Sequence, residues 1–181
     1  ARRAERDVFA ACPAAYAGAI SLPKVRDAYI QTVEDANLNV DAETAELAAH
    51  KSMGHPYMVQ LVGYYMWRSA ARRGSQVIEE RDVEAGHVDA ISEFYEAVDA
   101  PLYYGLRSPQ RLFIEAMAAD EGKPTRMADI IERCDRTQSW ASKYRASLIR
   151  ERVIEAAGYG LVRFTVPMLG AYIRDRVLWH E

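Results

Sequence analysis

Hydrophobic residues recur every three or four positions through the first hundred residues, which is the spacing of helices that bury one face. The pattern predicts four helices, over residues 22–37, 41–54, 56–74 and 81–102. Pro23 suits the first turn of the first helix, and Asp41 is placed to cap the second. The third helix, from Pro56, is apolar on most faces and is expected to be central. The first region is therefore predicted to be an all-helical bundle.

This pattern breaks over residues 101–109, and residues 103–105, Tyr-Tyr-Gly, fall inside the break. We interpret the break as a domain boundary. The prediction is a helical domain of residues 1–104, which includes an N-terminal extension, followed by a second domain of residues 105–181.

The second region has a different rhythm of helices and strands. Helices are predicted over residues 108–120, 126–134 and 137–151, with Ser108 and Thr137 as caps of the first and third. Residues 153–166 have the pattern of a hairpin that turns on Gly-Tyr-Gly, and a closing helix is expected over residues 168–179. A helix, a short helix, a tight turn and a longer helix are typical of a helix-turn-helix.

Together these elements predict a mainly α fold: a helical, lid-like bundle, then a winged helix-turn-helix with a small β-hairpin. Hydrophobic residues make up 50% of the chain and charged residues 27%, which excludes a disordered chain. Residues 1–106 carry 10 basic and 16 acidic groups, whereas residues 107–181 carry 13 and 10. The second region can therefore approach a polyanion more easily than the first.

Several classes of function lack their sequence signals. The longest apolar stretch, residues 8–20, is short and contains Pro13, so we expect a cytoplasmic protein without a membrane partner. Cys12 and Cys134 are far apart, with no CxxC, so both are expected to be reduced. No metal site and no catalytic residues are predicted. The chain opens without an initiator methionine, from which we expect a fragment of a longer protein.

Short motifs resemble a known family. Residues 52–63, Ser-Met-Gly-His-Pro-Tyr-Met-Val-Gln-Leu-Val-Gly, resemble the Gly-x-Pro segment in the lid of prokaryotic AAA ATPases, of the kind related to archaeal replication initiators and signal-transduction NTPases. Three further runs resemble the winged-helix domain that follows this lid: residues 108–111, Ser-Pro-Gln-Arg, residues 148–150, Leu-Ile-Arg, and residues 164–167, Phe-Thr-Val-Pro. The resemblance covers about residues 20–176.

The resemblance implies a longer parent protein that is an ATPase and binds ATP and magnesium in a core outside this chain. The chain itself has no P-loop: its only Gly-Lys pair is Gly122 and Lys123, followed by Pro124, and Met117 stands where the first glycine of the motif is needed. We therefore expect no enzyme activity and no cofactor in this chain, and we expect the ATPase core as a partner.

In the family, a lid helix that starts near Gly-x-Pro can present a sensor arginine to the nucleotide. The matching residues here are Gly54, Pro56 and Tyr57, so a tyrosine follows the proline. This departure weakens the case for direct phosphate sensing.

Double-stranded DNA is the leading candidate partner of the second region. The third helix of a winged helix enters the major groove, and the hairpin lies beside the backbone. The candidate DNA-binding residues on these elements are Arg136, Gln138, Ser139, Ser142, Lys143, Arg150 and Arg163. Two alternatives stay open: a protein-interaction or autoinhibitory module of a signalling NTPase, and a free-standing transcription factor.

Other residues of the first region have structural interpretations. The aromatic residues and methionines of the third helix, among them Tyr64, Tyr65 and Trp67, are assigned to core packing rather than to a ligand pocket. The acidic residues of the fourth helix are assigned to its solvated side; they are Asp82, Glu84, Asp89, Glu93 and Glu96.

Overall fold

The computed structural model describes residues 19–178, and the chain divides into two compact units between Phe94 and Tyr95. The mainly α fold with a small hairpin is confirmed. The division lies ten residues before the boundary predicted from the sequence. The N-terminal extension with Cys12, and Trp179 at the end of the predicted closing helix, lie outside the described residues.

The first unit, residues 19–94, contains four helices and one pair of two-residue strands in its described part. Its elements are α1 (Leu22–Asp35), β1 (Asn39–Val40), α2 (Ala42–Ser52), α3 (Pro56–Arg72), β2 (Val77–Ile78) and α4 (Glu80–Phe94). Asp41 caps α2 as predicted, because its carboxylate accepts the Thr44 N–H at 2.6 Å. The parallel pairing of β1 with β2 was not predicted.

Helix α3 is the centre of this unit, as its sequence predicts. Met58, Val62 and Met66 are almost completely buried. Its contact with α4 depends on Gly86, where a Cβ atom would lie 2.6 Å from the Met66 nitrogen. Any side chain at that position would force the two helices apart, so a glycine is required.

The second unit, residues 95–178, begins six residues before the predicted break, and the expectation of a break is wrong over residues 101–105, which are helical. Its first elements are a π-helix (Tyr95–Asp99) and α5 (Ala100–Gly105). Pro101 lies in the first turn of α5, which follows the π-helix without an intervening residue. Tyr103 is buried, and its hydroxyl donates to Glu115 at 2.5 Å.

The rest of this unit follows the predicted order of helices and strands. Its elements are α6 (Ser108–Ala118), β3 (Thr125–Arg126), α7 (Met127–Cys134), α8 (Gln138–Arg150), β4 (Ile154–Gly158), β5 (Leu161–Phe164), α9 (Leu169–Tyr172) and a second π-helix (Ile173–Leu178). The three strands form an antiparallel sheet in the order β3-β5-β4, of which β3 was not predicted. The N-cap of α6 is Arg107, so the prediction that Ser108 caps this helix is wrong. The Arg107 N–H donates to the Gln110 side chain at 3.0 Å.

The core of the second unit is apolar and continuous from helix to sheet. Its largest buried side chains are Phe113, Ile114, Met117, Ile130, Leu148, Ile154, Leu169 and Ile173. Cys134 also lies there, and burial raises the pKa of its thiol, which keeps it protonated. This core fixes α8 against α6 and the sheet, so the outer face of α8 has a defined position.

Candidate nucleic-acid interface

Helix α8 begins after a three-residue turn that follows α7. Asp135 adopts a left-handed conformation at the end of α7, with φ of 50°. The Thr137 hydroxyl then accepts the Trp140 N–H at 3.2 Å, which caps α8 as predicted. The tight turn and the cap fix the point at which α8 begins.

The inner face of α8 is held by apolar packing. Ala141 and Leu148 are completely buried, and the half-buried Trp140 ring lies 6.1 Å from Phe113 and 5.0 Å from Tyr144. These contacts orient the opposite face toward solvent.

The outer face carries most of the sequence-predicted DNA-binding residues. Gln138, Ser139, Ser142, Lys143 and Arg150 are all exposed on α8, and Arg136 is exposed in the turn before it. The structure thus brings six of the seven candidates to one helix and its leading turn. Arg163 is on the hairpin instead.

The cations of this face make weak contacts within the fold. The Lys143 ammonium lies 5.4 Å from the centre of the Tyr144 ring, and the Arg150 guanidinium lies 3.4 Å from the Ser147 hydroxyl. Arg136 donates to the Asp135 carbonyl at 3.1 Å. Within residues 19–178, none of the three forms an ion pair with a carboxylate. Their charge is therefore available to an external anion.

Other arginines of the same unit are paired. Arg126 contacts Asp129 at 2.7 Å, and Arg133 contacts Asp120 at 2.7 Å. The hydrogen bonds from these arginines are the main reason why the pKa of each aspartate lies below its ordinary value. Arg136, Lys143 and Arg150 thus differ from Arg126 and Arg133, whose charges are neutralised within the fold.

The hairpin pairs its candidate arginine with an acidic residue that sequence reasoning missed. Glu155 lies directly opposite Arg163 in the strand register, and the Arg163 Nε donates to Glu155 at 2.6 Å. At the turn, the Tyr159 side chain is fully exposed between Gly158 and Gly160, which both have positive φ. The position of Glu155 follows from the register, which the bulge between Ala156 and Gly158 makes difficult to derive from sequence.

The residues that match the lid motif occupy structural positions in the first unit. Gly54 has φ of 67°, and a Cβ there would lie 2.2 Å from the Ile20 oxygen, so only glycine fits. Pro56 opens α3. The Tyr57 hydroxyl lies 3.4 Å from the Glu93 carboxylate, which also accepts the Tyr65 hydroxyl at 2.5 Å. The charged group that contacts the Tyr57 hydroxyl is therefore the Glu93 carboxylate, which would repel a phosphate.

Comparison with known proteins gives a family match over part of the chain. A family described as a domain of unknown function, DUF8462, matches residues 100–173. No curated protein matches the sequence significantly. The matched segment covers most of the second unit and includes all seven candidate residues.

Solved structures give a distant similarity. The chain is similar to the Thermotoga maritima RuvB Holliday junction branch migration motor, with a TM-score of 0.41 and 11% identity over 84% of this chain and 49% of that chain. A single-residue variant of that protein has the same score and identity over 89% and 51%. The chain thus spans about half the length of the solved structures it matches. Values this low do not assign an activity.

Residues 19–178 lack the features of two other classes of site. No helix in this part of the chain is both long enough and apolar enough to cross a membrane. The same residues contain no group of three histidine, cysteine or acidic side chains placed to hold a metal ion.

Proposed function

We propose that residues 95–178 form a winged-helix unit that binds double-stranded DNA through the outer face of α8. The observation that supports this most directly is the position of Lys143 and Arg150, exposed on the second helix of a helix-turn-helix arrangement and without ion-pair partners in the described chain. Phosphate contacts by such cations provide most of the affinity of proteins for DNA.

The roles of the remaining residues follow from their place on α8. In a helix-turn-helix, the N-terminal part of the second helix contacts base edges. Gln138 and Ser139 hold that position, and their side chains can donate to and accept from bases. Ser142 lies one turn further along, beside Lys143. Arg136 precedes the helix, where it reaches the adjacent backbone.

The hairpin has a secondary role in this proposal. Arg163 lies on β5, beside the turn, and a DNA phosphate competes with Glu155 for its guanidinium. Because an exposed ion pair is worth less than about 1 kcal/mol, the exchange costs little.

The unit of residues 19–94 is proposed to be the lid of a longer AAA-type ATP-binding protein, on the strength of the sequence resemblance. In that protein, ATP and magnesium are held by a core outside this chain, and the chain itself supplies no catalytic residue. Since Tyr57 is bonded to Glu93, nucleotide state would reach the lid through contact with the core rather than through a phosphate ligand on α3.

A protein-binding role is the second candidate, and two features of the hairpin favour it. Its one candidate cation is neutralised by Glu155, and Tyr159 is fully exposed. A neutral, aromatic tip is more typical of a protein contact than of a phosphate contact. In this case the second unit would bind a protein partner or restrain its own ATPase core.

Fluorescence anisotropy with a mixed-sequence DNA duplex at several salt concentrations tests the DNA proposal. Replacing Lys143 and Arg150 by alanine removes two phosphate contacts. We expect the affinity to fall about tenfold at low salt and the slope of log affinity against log salt to decrease by about 2.

A matched control is the double variant Lys24→Ala and Arg72→Ala, which removes two exposed cations of the first unit that form no ion pair within the described residues. It changes the net charge equally but should leave the slope within error of the unmodified protein. Equal losses in the two double variants would show that only net charge matters. Absence of DNA binding at low salt would favour the protein-binding role.

A further inference from the structure

The first unit carries an open apolar groove that its own described residues leave unfilled. Helices α1 and α3 line this groove, which has a volume of about 440 Å³. Its main apolar lining residues are Tyr29, Val33, Leu38, Val59, Met66 and Trp67. The Trp67 side chain remains 37% exposed. An apolar groove of this kind marks a binding surface rather than ordinary solvent-facing surface.

Small residues explain why the two helices leave this space. Ala28, Thr32 and Ala36 recur every four residues along the wall formed by α1, and all three are exposed. On α3, Gly63 faces the Tyr29 ring, where an added Cβ would lie 3.1 Å from the ring. The Tyr29 hydroxyl donates to the Val59 carbonyl at 2.8 Å, which prevents the ring from turning to close the groove.

We propose that this groove binds residues 8–17 of the same chain. The segment reads Val-Phe-Ala-Ala-Cys-Pro-Ala-Ala-Tyr-Ala and contains no charged residue. Its alanines suit the narrow wall of α1, and Phe9 and Tyr16 provide side chains large enough to cover Trp67. Burying such apolar area stabilises a contact by roughly 25 cal/mol per Å².

The start of the described chain places this segment within reach. The Ile20 N–H donates to the Gly54 carbonyl at 2.8 Å, which holds residue 20 beside the start of α3. Ala28 lies about 9 Å along α1 from Leu22, at a rise of about 1.5 Å per residue. Ten residues can extend about 33 Å, which exceeds the roughly 15 Å from Ala28 to the end of the groove near Leu38.

Disulfide trapping with the native Cys12 tests this contact in the full chain. A new cysteine is placed in the groove by Thr32→Cys or, as a matched control, one position away by Gln31→Cys, outside the groove lining. Both positions are exposed, and their separation from Cys12 is nearly equal, so loop closure alone gives equal rates. Oxidised glutathione is the oxidant, and peptide mapping quantifies the intramolecular bond.

We expect the Cys12 bond to residue 32 to form about tenfold faster than the bond to residue 31, because docking raises the effective concentration of the thiol. Phe9→Asp in the Thr32→Cys background should reduce the faster rate to that of the control. Equal rates at the two positions, or a rate that Phe9→Asp leaves unchanged, would overturn the proposal. Bonds between two chains at residue 32 would also overturn it, since the occupant would then be a second copy. These results are independent of DNA binding.

Discussion

Two groups of charged residues, one in each unit, have different roles. In the first, Asp82 is buried and accepts hydrogen bonds from Ser69, Arg73 and the Glu79 N–H, and Glu93 accepts two tyrosine hydroxyls. In the second, Lys143 and Arg150 are exposed on α8 and have no carboxylate partner within the described residues. Asp82 and Glu93 stabilise the fold of the first unit. Lys143 and Arg150 contribute little to the fold of the second unit, which makes them the better candidates for binding a ligand.

Removing the buried carboxylate in Asp82→Ala should have the largest effect. The variant leaves Arg73 without its main partner and removes the bond to the Glu79 N–H at the start of α4. We expect the free energy of unfolding of the first unit to fall by about 3 kcal/mol. Urea denaturation followed by circular dichroism measures it, and DNA affinity at low urea should be unchanged.

Glu84→Ala is the matched control on the same helix. Glu84 is half exposed and pairs with Lys51 at 2.9 Å, so its removal should cost less than about 1 kcal/mol. If Asp82→Ala lowers the free energy of unfolding no more than Glu84→Ala does, the buried carboxylate does not stabilise the first unit more than the exposed one.

The stability that Asp82 contributes depends on pH through the pKa of its carboxyl group. Burial alone would raise it, but the hydrogen bonds from Arg73, the Glu79 N–H and Ser69 outweigh burial and lower the pKa overall. The contribution is therefore present at neutral pH and is lost as the pH falls below about 4, through the folded-state pKa.

Asp99 is an exception in the second unit, and Asp99→Asn tests it. Both of its carboxylate oxygens are buried without a hydrogen-bond partner in the described chain, and burial raises its pKa to about 8. Since the folded state binds the proton more tightly than the unfolded state, stability declines as the pH rises from about 4 to about 8.

Asparagine cannot ionise, so the stability of the variant relative to that of the unmodified protein should rise continuously from pH 5 to pH 8. Denaturation midpoints at the two pH values give the difference. Parallel pH profiles for the two proteins would show that Asp99 does not titrate in this range.

The smallest effect is expected for Glu155→Ala, which frees Arg163 on the hairpin. We expect DNA affinity to rise about threefold at low salt, because the ion pair no longer competes with phosphate. Glu121→Ala removes an exposed carboxylate with the same change in net charge. An equal gain in both variants would attribute the effect to net charge rather than to Arg163.

The sequence predicted the helices well because periodicity and caps act locally. Asp41 and Thr137 each bond to a backbone N–H three residues ahead, so their role is visible within four positions of sequence. The two-residue strands Asn39–Val40 and Thr125–Arg126 are too short to show a period, and their partners are distant in the chain.

Charged residues were harder to assign for the same reason. The prediction that Asp82 and Glu93 lie on a solvated face was wrong. Asp82 bonds to Ser69 of α3 and to Arg73, the residue that follows α3. Glu93 bonds to Tyr57 and Tyr65, which are also on α3. The outer face of α8 was predicted in full, since exposure on one helix follows from helical spacing. The neutralising partner of Arg163 required the strand register.

The other proposed roles depend on contact between DNA and the outer face of α8. Chemical shift perturbation of backbone amides during a titration of the chain with a short DNA duplex at low salt detects this contact directly. We expect perturbations concentrated in residues 136–150 and in the hairpin near Arg163, with little change in residues 19–94. Perturbations confined to residues 19–94, or none at all, would contradict the DNA proposal.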